Sequence, residues 1–162
     1  MLRIKLSSVV AASVLIISTN ITAAPPANSQ APINSPGVTS GSLHTFATGL
    51  ERGYDISGFA TMVRTPSNKT IVDLTAFGLM PDTTYPSHVH NQACDDGNGG
   101  GHYQNEIGGP VDPINEIWVT FTTNNQGIGK GFAKNEFYSR PEAQSIVIHD
   151  TDLARIACVD LQ

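Results

Sequence analysis

Residues 117–134 read IWVTFTTNNQGIGKGFAK, and this stretch decides the fold class. Ile117, Trp118, Val119, Phe121 and the threonines among them are β-branched or aromatic, the side chains that suit a pleated, half-buried surface. Residues 117–123 therefore read as a strand, Asn124-Asn125-Gln126-Gly127 as a hairpin turn, and residues 128–134 as the returning strand. Outward from here, runs of the same kind recur at 44–48, 54–64, 69–79, 85–90, 145–149 and 154–161. Turn chemistry separates them, as in Thr65-Pro66-Ser67-Asn68 and Met80-Pro81-Asp82. Helical periodicity is scarce. About eight short strands without helices predict an all-β, immunoglobulin-like sandwich or Greek-key barrel with long irregular loops.

The ends of the chain set its domain plan. Met1-Leu2-Arg3-Ile4-Lys5 is cationic, residues 9–17 are apolar, and small residues Thr22-Ala23-Ala24 follow. That three-part pattern predicts a secretory signal peptide over residues 1–23, with no membrane span in the mature form. A retained membrane anchor is the alternative. Residues 24–41 (APPANSQAPINSPGVTSG) are rich in Pro, Ser and Asn and nearly free of large apolar side chains, which predicts a flexible tether. The folded domain is then residues 42–162. The chain carries nine Lys and Arg against fourteen Asp and Glu, a net charge of −5, and losing Arg3 and Lys5 with the leader makes it more acidic. No basic stripe remains, so nucleic acid is excluded as a partner. An acidic chain also repels an anionic substrate unless a local cation reverses the field. In an exported chain, whether periplasmic or extracellular, Cys94 and Cys158 most simply form one disulfide. Two free thiols or thiolate metal ligands are the alternatives, disfavoured by compartment and by spacing.

Histidine is the informative residue type. Of the five in the chain, His88 and His90 fall two apart in a strand, so their imidazoles share a face while Val89 points the other way. His102 follows Gly99-Gly100-Gly101, and His149 closes a late apolar strand. Between them, residues 91–115 form a Gly-, Asn- and Asp-rich loop, long for so small a domain and therefore a functional candidate. A disulfide from Cys94 to the terminal strand would pin it, as a preorganised site requires. Four neutral imidazoles suit Cu(II), and Zn(II) acceptably. Isolated surface or core histidines are the alternative for each residue taken singly. His44 and Trp118 are assigned ordinary surface or packing roles.

Five segments, in order, carry a resemblance: Gly78-Leu79-Met80-Pro81 through His88-Val89-His90, the Cys94 loop, Gly101-His102-Tyr103, Ser145-Ile146-Val147-Ile148-His149 and Ala154-Arg155-Ile156-Ala157-Cys158. Together they resemble the copper/zinc superoxide dismutase family over essentially the whole domain. The resemblance implies that His88, His90, His102 and His149 bind one copper ion, with His102 at the position that bridges copper to zinc. It implies that Arg155 guides and holds the superoxide anion, and that Cys94 and Cys158 form the family's disulfide.

Two departures qualify it. No histidine lies between His102 and His149; Asn105, Glu106, Asp112, Asn115 and Glu116 are the nearest polar groups. Oxygen ligands alone rarely hold zinc, so the zinc site is expected to be missing. The long charged loop before the last strand is also reduced to Asp150-Thr151-Asp152-Leu153. The chain thus resembles the copper-only branch of the family. The far nitrogen of His102 then needs an acceptor; Glu116 is the candidate, Glu106 and Asp112 its rivals, and an ordinary exposed carboxylate at a strand start is the competing reading of Glu116. The implied activity is copper-dependent superoxide dismutation by an exported monomer or weak dimer. The alternative is a dismutase-like protein that binds or buffers copper without turnover; zinc-dependent hydrolysis ranks lower for want of a general base.

Overall fold

The computed structural model describes residues 37–162. The expected signal peptide and most of the expected tether lie outside the described residues. In chain order the elements are β1 (Gly37–Ser42), β2 (His44–Thr45), α1 (Ala47–Glu51), β3 (Ser57–Arg64), β4 (Thr70–Phe77), β5 (Thr84–Tyr85), β6 (Ser87–His90), a 3-10 turn at Gly97–Gly99, β7 (Phe121–Thr122), β8 (Gly129–Asn135), β9 (Ser145–His149) and β10 (Arg155–Asp160). Two four-stranded antiparallel sheets, ordered β1-β3-β4-β8 and β2-β10-β9-β6, face each other, with β5 and β7 as a small separate pair. The chain passes repeatedly from one sheet to the other, giving the all-β sandwich. The sheets do not close into a continuous barrel.

Period-two alternation builds the core. In β4 the buried residues Val72, Leu74 and Ala76 alternate with more exposed neighbours, and β8 alternates strictly. Met62, Val72 and Leu74 from the first sheet meet Val89, Ile146, Ile148 and Val159 from the second. The second sheet differs, because β6 and β9 are buried on both faces. On its outer side Val147 and Cys158 pack with Phe46 and Cys94 in a second apolar cluster. That cover of loop and helix lets His88 and His90, which point away from the main core, remain buried.

Three expectations are corrected. The hairpin turn at 124–127 forms, with Gly127 N donating to Asn124 O at 3.0 Å and Asn124 N to Ile128 O at 2.9 Å. Its arms, however, do not pair: β7 pairs with β5 and β8 with β4. The first arm instead lies across the inner face of β8, and side chains at Gly129 and Gly131 would collide with the Phe121 ring and the Val119 carbonyl. Those glycines permit a face-to-face approach that strand pattern alone cannot announce. Secondly, α1 breaks the stretch read as a first strand; it is a single turn, too short to leave a periodic signature. Thirdly, β1 begins at Gly37, inside the segment read as tether, and pairs along its whole length with β3. Backbone hydrogen bonding along an edge does not need the large apolar side chains whose absence argued for a tether.

The two cysteines are joined, Cys94 to Cys158, with Cα atoms 5.8 Å apart and a sequence separation of 64. Cys94 N also donates to Asp160 Oδ1 at 2.7 Å. Loop 91–116 is thereby fastened to β10 in the middle of the second sheet. Replacing both cysteines with serine should cost about 2–5 kcal/mol of stability. A guanidinium unfolding midpoint equal to that of the parent protein would contradict this structural role.

Candidate metal centre

Strand geometry delivers the first two imidazoles: His88 and His90 lie on the same face of β6. Antiparallel pairing delivers the third. Strand β9 lies beside β6, pairing His90 with Ser145 and Ser87 with Ile148, and His149 N donates to Pro86 O at 2.8 Å. The loop returns the fourth, since His102 bridges His90 backbone to backbone and Tyr103 N donates to Val89 O at 2.9 Å. One potential ligand nitrogen from each of His88, His90, His102 and His149 lies within 4.8 Å of the others. Ring centroids of the contacting pairs are 4.1 to 6.1 Å apart. Three rings are buried and His102 is part-exposed.

The hydrogen bonds of the rings fix which nitrogen faces the centre. Nδ1 of His90 faces the Gly100 carbonyl at 3.3 Å, and Nδ1 of His149 faces the Leu153 carbonyl at 3.1 Å. A carbonyl only accepts, so both Nδ1 atoms carry the proton and both Nε2 atoms present lone pairs. Those two Nε2 atoms are 3.4 Å apart. Lone pairs held that close repel unless a cation sits between them. His88 Nδ1 is buried with no hydrogen-bond partner, an orphan that coordination to the same ion would satisfy. The donor set therefore fits a metal ion on chemistry and on geometry. Four imidazoles are ligands for zinc, copper or nickel rather than for calcium or magnesium.

His102 is held from behind by Glu116. Its Nδ1 is 2.8 Å from Glu116 Oε2, and the same carboxylate accepts hydrogen bonds from Trp118 Nε1 (2.8 Å) and Gln104 Nε2 (3.2 Å). Glu116 is 1% exposed, so it is not the solvated strand-start carboxylate of the competing reading. Burial pushes its pKa up most strongly, but the hydrogen bonds from Trp118, His102 and Gln104 together outweigh burial and leave the group below its ordinary value. It faces His102 as an anion, the usual partner of a ligating histidine. The rivals are employed elsewhere. Asp112 Oδ1 caps the amides of Ile114 and Asn115, while Glu106 gives its backbone amide and carbonyl to Asn115. Asn105 likewise donates its amide to the Asn115 carbonyl. These residues fold the loop back on itself.

Arg155 stands opposite His149 in the β9–β10 register, just before a β-bulge. Its Nη1 donates to the carbonyls of Gly97 and Asn98, both at 3.0 Å. Its charge is among the influences that lower the pKa of His90 and His149, so it acts electrostatically on the centre. His44 packs edge-on against Phe46 and takes no part in the cluster.

Some contributing residues carry no obvious sequence signal. Trp118, read as ordinary packing, places its ring 5.6 Å from that of His88 as well as donating to Glu116. Its position two after Glu116, hence on the same side of an extended segment, was the available clue. Gln104 and Arg140 gave none: Arg140 lies over the Tyr103 ring at 5.1 Å and donates from Nη2 to Gln104 O at 2.8 Å, steadying the segment that bears His102.

Burial, followed by the neighbouring imidazoles, lowers His88 to about 4 and His90 to about 3, and burial also lowers His149. Unfolded histidines take up protons near pH 6.5. Between that value and about 4, the unfolded chain therefore binds more protons than the folded one, and stability falls as pH falls. Urea unfolding of the metal-free protein should show its midpoint dropping from pH 7 to pH 4.5, and His88→Gln should blunt the drop. A midpoint flat over that interval would refute the assignment of neutral, buried rings. Among known proteins, no family model and no curated sequence matches this chain.

Proposed function

We propose that this domain is an exported copper-dependent superoxide dismutase. The observation that carries the reading is the donor set: four imidazoles directed at one point, three of them with the far nitrogen held by an acceptor, beside an arginine. Copper is favoured over zinc because all-nitrogen sites bind Cu(II) most tightly in the divalent series, and because imidazole also retains Cu(I). The His102 nitrogen that would face a zinc ion in the two-metal relatives the sequence resembles is taken by Glu116. The disulfide supports export, because such bonds persist in oxidising compartments. Among the described residues no helix is long and apolar enough to cross a membrane.

Dismutation converts two superoxide anions and two protons into one dioxygen and one hydrogen peroxide. A bound copper ion would supply the one-electron exchange, alternating between Cu(II) and Cu(I). The chain supplies the rest. Arg155 is the local positive charge in an acidic protein, and it both attracts the anion and gives it a hydrogen-bonding partner. Among the described residues, Gly97 and Asn98 hold the guanidinium through Nη1, leaving its other donors for the substrate. His102, the one part-exposed ring, is the residue able to take a proton at Nε2 and return it, with Glu116 stabilising the imidazolium from the other side. Deeply buried His88 and His90 stay neutral and would hold the ion.

Metal analysis of oxidatively folded protein, paired with a dismutation assay before and after copper loading, tests the reading. One equivalent of copper with turnover is expected. Copper without turnover would make the protein a carrier or buffer instead, and a second equivalent bound as zinc would overturn the copper-only assignment. Arg155→Ala should keep its copper, lose roughly tenfold or more in kcat/KM, and show a weaker dependence of rate on ionic strength. Full activity in that variant would remove Arg155 from the mechanism.

A further inference from the structure

The short turn at residues 150–154, between β9 and β10, orients one of the ligand rings. The carbonyl facing His149 Nδ1 belongs to Leu153, whose φ is +68°. A leucine enters that left-handed region only where its surroundings impose it. Apolar packing does not impose it here, since Leu153 is 66% exposed. Polar ties do. Asp150 N donates to Ala154 O at 2.7 Å and Leu153 N to Asp150 O at 2.9 Å, closing the turn. Both acidic side chains of the turn are then held from outside it by Arg52, 98 and 100 residues away in sequence. Arg52 Nη1 donates to Asp150 Oδ2 at 2.8 Å and to Asp152 Oδ1 at 3.0 Å, while Nη2 donates to Asp152 Oδ2 at 2.8 Å. The remaining Asp150 oxygen accepts from the Tyr54 hydroxyl at 3.1 Å and from Thr151 N at 2.8 Å.

We propose that Arg52 is a positioning residue for the metal centre: its guanidinium clamps Asp150 and Asp152, the clamp holds Leu153 in its left-handed turn, and the turn fixes the His149 ring with Nε2 toward the other three imidazoles. The inference rests on reading those four rings as a metal centre and names what keeps one of them aligned. Arginine suits the task because its planar fork spans two carboxylates at once, which a lysine ammonium cannot do in the same geometry. Exposed ion pairs add little to global stability. Orientation, more than stability, is therefore what this clamp contributes. The turn would otherwise be free to relax Leu153 to negative φ, swinging the carbonyl away from His149.

The test reads the ring directly. Imidazole nitrogen–proton correlation spectra of the metal-free, ¹⁵N-labelled protein at neutral pH report which nitrogen of His149 is protonated. The parent protein is expected to show the Nδ1–H form. Arg52→Ala should give a mixture with the Nε2–H form, and Arg52→Lys, which keeps the charge but not the fork, should not restore the single form. Copper affinity measured by competition with a chelator should fall about 10- to 100-fold in both variants, the usual effect of losing a group that orients a ligand. Asp152→Asn, which weakens only the exposed half of the clamp, is read in the same way and decides the matter if Arg52→Ala does not fold. A purely structural staple would lower the melting temperature and leave the His149 tautomer and copper affinity unchanged; that outcome overturns the proposal. Failure of the parent protein to bind copper would instead remove the proposed function, while the tautomer spectra would still decide the clamp.

Discussion

Four imidazoles within 4.8 Å of one another, three of them buried, cannot all be protonated, and the site depends on that constraint. Burial, reinforced by neighbouring charges, holds His88, His90 and His149 neutral. Neutral rings in turn need their second nitrogens bonded, or the centre would be a cluster of unsatisfied polar atoms. For three of the rings the fold meets that need from separate places: the Gly100 carbonyl, the Leu153 carbonyl and the Glu116 carboxylate. The domain is assembled so that these acceptors arrive where the rings require them. The disulfide fastens the loop that brings His102 and Gly100, and the arm at 117–119 lies along the edge of β6 through Val89 N to Ile117 O and Val119 N to Ser87 O.

The two sheets have different duties. The first alternates buried and exposed residues and forms one wall of the core. The second is buried on both faces where it carries ligands, so His88, His90 and His149 sit on short, fully paired or covered strands rather than on free loops. Only His102 rides on the irregular segment. It is the part-exposed ring and the one backed by a carboxylate, features that suit the residue asked to handle a proton. Under the proposed function, the three covered rings would hold the ion and the part-exposed one would handle the proton.

Much of this was legible in the sequence because it follows from short-range geometry. Two residues apart in a strand means one face, which put His88 and His90 together. Two cysteines in a chain read as exported implied a bond, and His102 after three glycines and His149 at a strand end completed a possible ligand set. The failures came where tertiary contacts overrule local pattern. Residues 117–134 look like a hairpin, and only the collision that side chains at Gly129 and Gly131 would suffer explains why the arms stack instead of pairing. Helix α1 is one turn long. Strand β1 is drawn from a stretch too polar to declare itself, because an edge strand is held by backbone bonds. The roles of Trp118, Gln104, Leu153 and Arg52 depend on contacts to distant residues that no local pattern encodes.

X-ray absorption at the copper edge of copper-loaded protein tests the central claim most directly, because imidazole rings give a characteristic multiple-scattering pattern. The account predicts a first shell of nitrogen with outer-shell scattering from the four histidine rings that converge in the structure, diminished by one ring in His149→Ala. A shell dominated by oxygen, or scattering unchanged by the loss of His149, would contradict it.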